Sequence, residues 1–236
     1  LMLGAVKSEG GRNEILSIPK LLKLLDLKGV IVTLDAMGTQ VGVARGIAAK
    51  EGDYVMALKG NQESLHRRVK ALWKDLKFEQ AADSYEVVEK GHGRIERRRY
   101  WMSSQIQSLE PKTHWAGLFK SIGKVESERR IGERTTREQR YYISSLSADS
   151  KELAKAVRSH WAIENGLHWV LDVAFREDEC RIRVGHAAEN FAMLRRLAIN
   201  LLKRETGTKV GVKAKRMKAG WGTAYLEKVL WGNGVN

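Results

Sequence analysis

The sequence holds a single cysteine, Cys180, among 236 residues, which excludes an intrachain disulfide and a multi-cysteine zinc site. That usage fits a reducing compartment. No apolar run approaches the roughly 20 residues that span a bilayer, and no signal-peptide pattern opens the chain. Internal repeats and low-complexity tracts are absent as well. Acidic residues are in deficit: 28 Asp and Glu face 42 Lys and Arg, a formal charge of +14. An excess of that size implies a polyanionic partner, nucleic acid first, and a cytoplasmic, nucleoid-associated location. The bland alternative is a solvated basic surface. With 43% apolar residues the chain can bury a substantial core, as one globular domain carrying an insertion or a tail. A chain that begins at Leu1 rather than at a methionine is expected to have its true N-terminus upstream.

Along the chain, Leu1 to Val6 reads as a short strand. Asn13 is placed to cap a helix carrying Ile15, Leu16, Leu21, Leu22, Leu24 and Leu25, with Pro19 near its first turn. Val30 to Leu34 is a β-branched run without alternation, which predicts a strand buried on both faces. Thr39 to Lys50 has helical spacing. Tyr54 to Leu58 predicts a second strand, ending in Lys59-Gly60-Asn61-Gln62, with Asn61 as cap of a helix whose Leu65, Val69 and Leu72 share a face. This order implies parallel strands joined by crossovers, with ligands at their carboxyl ends, where Asp35 and Lys59 lie.

From Ser84 the period changes. Tyr85 to Glu89 and Ile95 to Met102 predict a hairpin, and Leu118 to Arg130 with Arg137 to Ser145 a second pair joined across Gly132. Such an antiparallel section is expected to form a sheet of its own. Arg94, Arg97, Arg98 and Arg99 beside Tyr100 and Trp101 suit either a phosphate-tracking surface or a solvated strand face. Asp149 to Glu152 is a capping box for the helix that carries Glu164. Ala187 to Lys203 predicts another helix, with Leu194, Leu197, Ala198 and Leu201 as its core face. The tail, with Lys209, Lys213, Lys215, Arg216 and Lys218, reads as a flexible arm or a solubilising end.

The chemistry concentrates between Arg158 and Arg183. On a helical wheel Ala156, Ile163, Leu167, Val170 and Ala174 form a core stripe, and His160, Glu164 and His168 fall on a strip at its margin. A carboxylate there needs a partner: a metal, a basic group or water. Zinc ranks low, because histidines two turns apart, about 12 Å along a straight axis, cannot reach one ion. Asp35, after a buried strand and beside the small Ala36 and Gly38, suits a magnesium site; its alternative is a capping Asp of the next turn. Asp172, Glu177, Asp178 and Glu179 are further acids, the last three beside Arg181 and Arg183 as candidate exposed ion pairs. His66 and His114 have no motif around them.

Four stretches together resemble bacterial insertion-sequence transposases: Ile31 to Gln40 (IVTLDAMGTQ), Asp53 to Gln62 (DYVMALKGNQ), His92 to Glu96 (HGRIE), and Arg158 to Arg183. Their order and spacing place the chain with the H-repeat-associated group of the DDE, RNase H-like superfamily, over about Lys7 to Leu230. The resemblance implies an α/β fold: an RNase H-like mixed sheet flanked by helices and interrupted by an antiparallel β insertion. Residues 1–83 and 147–204 would form the catalytic domain, 84–146 the insertion and 205–236 a basic tail. It further implies two divalent cations, Mg²⁺ or Mn²⁺, held by an Asp, Asp, Glu triad, with Asp35 as the second Asp and Glu164 as the Glu. The first Asp of the family lies on a strand that matches no segment of this sequence, so the first strands of the fold and half the metal site are expected to be missing. In related transposases the glutamate lies in a Y-(2)-R-(3)-E-(6)-K pattern; Val157, His160 and Leu171 stand at the Tyr, Arg and Lys places. His160, Asn165 and His168 are then DNA contacts or positioners of Glu164. Lys59 is the expected phosphate contact, with Arg94, Arg97, Arg98, Arg158 and Arg181 on flanking DNA. The implied activity is metal-dependent cleavage and strand transfer of double-stranded DNA at transposon ends and target, by a homodimer on DNA. This chain alone would then be inactive, and the alternative is a non-catalytic DNA-binding remnant of such a transposase.

Overall fold

The computed structural model describes residues 6, 14–91, 93–109 and 114–232, without the side chains of Glu14, Glu164 and Asn165. The expected strand before Val6, the cap at Asn13 and the turn residue His92 lie outside them. The chain divides between His160 and Trp161 into two compact units.

The first unit carries α1 (Glu14–Leu24), β1 (Ile31–Leu34), α2 (Val41–Ala48), β2 (Asp53–Leu58), α3 (Glu63–Leu72), α4 (Leu76–Gln80), β3 (Asp83–Gly91), β4 (Arg94–Ser103), β5 (Ser121–Ile131), β6 (Arg134–Ser144) and all but the last three residues of α5 (Ser150–Ile163). The sheet order is β1-β2-β6-β5-β4-β3, with β1 and β2 parallel and every other pair antiparallel. This is the mixed α/β architecture of the RNase H-like class. One expectation fails: the antiparallel section does not form its own sheet. Met56 pairs with Ile143 and Leu58 with Tyr141, so β6 continues the parallel strands directly. The change of period marks a change of strand direction, which does not end a sheet as long as edges can pair.

Alternation along β2 explains how both faces are covered. Tyr54, Met56 and Leu58 point into a core with Leu22 of α1, Val43, Ala44 and Ile47 of α2, and Leu65 and Val69 of α3. Val55 points the other way, into a core with Tyr100, Met102, Val125 and Tyr142 and with Leu153, Ala154, Ala156 and Val157 of α5. Gly123 allows α5 that close: a Cβ there would lie 2.8 Å from a terminal methyl of the fully buried Leu153. β1 differs from expectation. Among the described residues it has one neighbour, and Val30 and Ile31 are partly exposed instead of buried on both faces. Pro19 lies inside α1, not at its start.

The second unit holds a π-helical turn, Glu164–His168, then α6 (Trp169–Phe175), α7 (Ala187–Arg204), α8 (Val212–Trp221) and α9 (Thr223–Trp231). Two more readings are corrected here. The core-facing residues of α7 are Ile199 and Leu202, while Leu194 and Leu197 are 57% and 53% exposed. The tail, read as a flexible arm or a solubilising end, is helical over Val212–Trp221 and Thr223–Trp231 and anchored by a buried carboxylate. Glu205 accepts from the Tyr225 hydroxyl at 2.9 Å and from the backbone N–H of Thr208 at 3.0 Å. Lys215 and Lys228 pair with it at 3.4 and 3.3 Å.

Candidate catalytic and nucleic-acid site

Two strand ends and the turns that follow them form the first part of the site. Asp35 is exposed one residue beyond β1, and Lys59 is exposed one residue beyond β2. Asp35 Oδ1 accepts the N–H of Gly38 at 3.0 Å, so the carboxylate does cap its turn. Its second oxygen has no partner among the described residues. The capping and ligand readings of Asp35 are therefore compatible, since one oxygen serves each.

The two turns are stitched together by groups that the linear sequence did not single out. The hydroxyl of the fully buried Thr39 lies 2.9 Å from the carbonyl of Asp35 and 2.7 Å from that of Ala57 on β2. Asn61 donates its side-chain N–H to the carbonyl of Ala36, and Gln62 Nε2 donates to that of Thr39 at 3.0 Å. Gln62 in turn accepts from the indole of Trp115 at 3.1 Å. Asn61 thus ties turn to turn and is not the expected helix cap, a position taken by Gln62 without a side-chain cap bond. The only sequence-level signal was the amide pair after Lys59, whose partners cannot be read before the strands are aligned.

α5 brings the second part. Asp149 Oδ1 accepts the N–H groups of Lys151 and Glu152 at 2.9 and 3.0 Å, one half of the expected capping box; the other half does not form, because Glu152 pairs with Lys155 and the Asp149 N–H goes to Met102 Sδ. At the other end His160 Nδ1 lies 3.2 Å from the hydroxyl of Thr33, two residues before Asp35. Glu164 and Asn165 open the π-helical turn and His168 closes it, exposed. The wider turn changes the helical pitch from Glu164 onward. Ile163, the last residue of α5, is 49% exposed, while Val170 and Ala174 are buried as expected. Arg181 is exposed in the loop before α7, without an ion pair among the described residues.

The basic strand alternates between two faces of the sheet. Arg94 and Arg98 share one face with Glu96, Glu89, Arg129 and, from α5, Arg158. Arg97 and Arg99 lie on the other, where they and Arg137 meet Glu86, Glu126 and Glu128. Neither Glu177 nor Glu179 pairs with Arg181 or Arg183; Glu177 meets Arg195 and Arg196, and Glu179 meets Arg176.

As a cation site, Asp35 has the right donor chemistry, an exposed carboxylate oxygen at a strand end. Among the described residues no group of three or more His, Cys, Asp and Glu converges on one point. No helix among them is long and apolar enough to cross a membrane.

Comparison with known proteins completes the assignment. The model of the transposase DDE domain matches residues 1–201. YncI of Escherichia coli O157:H7, which carries a transposase name, is 42% identical over 234 residues, 98% of this chain and 60% of the relative. YhhI of Escherichia coli K12, named as an H repeat-associated transposase, is 40% identical over 242 aligned positions, all of this chain and 64% of the relative. YbfL of the same strain matches at 40% identity over the same share of both. The chain spans about 60% of the length of YncI, and somewhat more of the other two. With its sheet order, the stitched ends of β1 and β2 and these matches, the chain belongs to the transposase DDE domain family, in the H repeat-associated group.

Proposed function

We propose that the protein to which this sequence belongs cleaves double-stranded DNA at the ends of an insertion sequence and joins those ends to a target. The observation that carries the reading is the placement of Asp35. It is an exposed carboxylate at the end of a parallel strand, held in a turn that is bonded at two points to the turn bearing Lys59 and at a third to β2. Asp35 and Glu164 would be carboxylate ligands of Mg²⁺ or Mn²⁺, completed by a further acid. When bound, the cations supply polarisation of the scissile phosphate and activation of the attacking oxygen. Lys59 would contact a phosphate beside that centre, since its turn is bonded to the Asp35 turn. Arg181, without an acidic partner among the described residues, His168 and Asn165 are proposed contacts to flanking DNA, and a homodimer on DNA is the proposed assembly.

The test is plasmid nicking and strand transfer by a protein of the relatives' full length, with Mg²⁺ or Mn²⁺. Asp35→Asn keeps an acceptor for the Gly38 N–H, so it removes charge without removing the turn bond. Asp35→Asn or Glu164→Gln is expected to abolish cleavage and leave DNA binding largely intact. Full cleavage by either variant would sink the assignment. Binding without cleavage by the unsubstituted protein would favour the DNA-binding remnant instead.

A further inference from the structure

On the α5 face of the sheet two guanidinium groups converge on one carboxylate oxygen. Arg98 Nη1 lies 2.6 Å and Arg158 Nη1 2.8 Å from Glu89 Oε2. The second fork of Arg98 goes to Glu96, which also pairs with Arg94 and Arg129. Four guanidiniums therefore share two carboxylates in this cluster. On the opposite face Arg97, Arg99 and Arg137 are matched by three, so only the α5 face carries uncompensated charge within its ion-pair network.

Two residues from Arg98 on the same face of β4 is Tyr100, fully buried, whose hydroxyl has no hydrogen-bond partner among the described residues. An unpaired buried hydroxyl costs stability, so its presence here points to a partner gained in another state. The charges of Arg98, Arg158 and Glu89 act on it. Burial raises the tyrosine, and the two guanidiniums oppose that shift. Glu89, by contrast, is about half exposed, and its carboxyl is held below the usual range by hydrogen bonds from Arg158 and Arg98. A half-exposed carboxylate is weakly held and exchangeable.

We propose that Arg98, Arg158 and Tyr100 form a binding site for a backbone phosphate of duplex DNA, in which Glu89 stands in for the phosphate until DNA displaces it. This rests on the DNA-acting reading above. Arginine forks bind phosphate at least as well as carboxylate, and a phosphodiester offers two free oxygens. One oxygen would take the place of Glu89 Oε2 and the other would give the Tyr100 hydroxyl the acceptor it lacks. Because one side chain comes from the sheet and one from α5, bound DNA would also fasten that helix to the strands. Glu89 would act as a brake on non-specific binding, since every duplex must first displace it.

The experiment titrates the full chain into a labelled duplex of random sequence and follows fluorescence anisotropy across a salt series, with melting curves for each variant. Glu89→Gln is expected to bind several-fold tighter. Arg158→Gln is expected to bind more weakly, with a salt slope shallower by about one phosphate contact, roughly 0.9. Arg137→Gln, on the other face, should change neither. Tyr100→Phe should melt at or above the unsubstituted temperature yet bind several-fold more weakly, which a purely structural tyrosine would not do. If Glu89→Gln fails to fold, Tyr100→Phe and Arg158→Gln still decide. Should the unsubstituted chain bind while Tyr100→Phe and Arg158→Gln match it, this site is wrong and the DNA reading stands. No binding by the unsubstituted chain even at low salt would sink both.

Discussion

The imidazole of His160 meets the hydroxyl of Thr33 at 3.2 Å, which ties the last turn of α5 to β1 two residues ahead of Asp35. The contact joins residues 127 positions apart, immediately before the backbone widens into the π-helical turn at Glu164. Thr33→Val keeps the shape of the strand residue and removes the hydroxyl. It is expected to lower stability by about 1 kcal/mol, and His160→Ala to add less than its full cost in the Thr33→Val background. Chemical denaturation of the two single variants and the double variant measures the coupling. Strict additivity would show that the contact contributes nothing.

Asn61 is expected to matter for the Asp35 turn although it lies 25 residues away. Asn61→Ala frees the carbonyl of Ala36 and should cost about 0.5–1.5 kcal/mol. Amide exchange at Gly38 and Thr39 should accelerate in this variant, while exchange in β4 and β5 stays unchanged. Unchanged exchange at Gly38 would mean that Thr39 and Gln62 hold the turns without it.

Glu205 sets an acid limit on the C-terminal helices. Burial pushes its carboxyl up, but hydrogen bonds from Tyr225, Lys228 and Lys215 outweigh that and hold it down at about 2. The folded value is below the unfolded one, so its contribution is complete above the ordinary glutamate range. It is lost as pH falls through that range towards 2. Melting curves from pH 7 to pH 2.5 should show a decline in this window that Glu205→Gln, less stable at neutral pH, lacks.

Substitutions along α7 should separate by face. Leu194→Ala and Leu197→Ala are expected to stay within about 1 kcal/mol of the unsubstituted chain, because both side chains are already half exposed. Ile199→Ala and Leu202→Ala empty a packed position and should cost about 2–5 kcal/mol each. The reverse order, measured by denaturant midpoints, would restore the face chosen from periodicity alone.

Local chemistry was readable without coordinates wherever it depended on neighbours in the chain. The uniform apolar run at β2, the N-cap at Asp149 and the turn glycines of both hairpins each carry their signal within a few residues, and all appear as expected. So does Asp35 at a strand end. The failures share one cause. Periodicity tells which residues lie on a common side of an element, but not which side meets a neighbour. On α7 the leucines at 194 and 197 and the buried pair at 199 and 202 both fit a helical spacing, and packing chose the second. Continuing the wheel through Glu164 assumed a constant pitch that the π-helical turn does not keep.

The sequence by itself determined the α/β class, the family and the exposed strand-end carboxylate, because composition, element order and short motifs encode them. Tertiary structure alone decided the rest. It joined the β insertion to the parallel strands and bonded Asn61 to Ala36. It also divided one run of arginines between two faces and set Glu89 between Arg98 and Arg158. Those relations depend on strand register and on side-chain distances across dozens of residues, which no local pattern specifies.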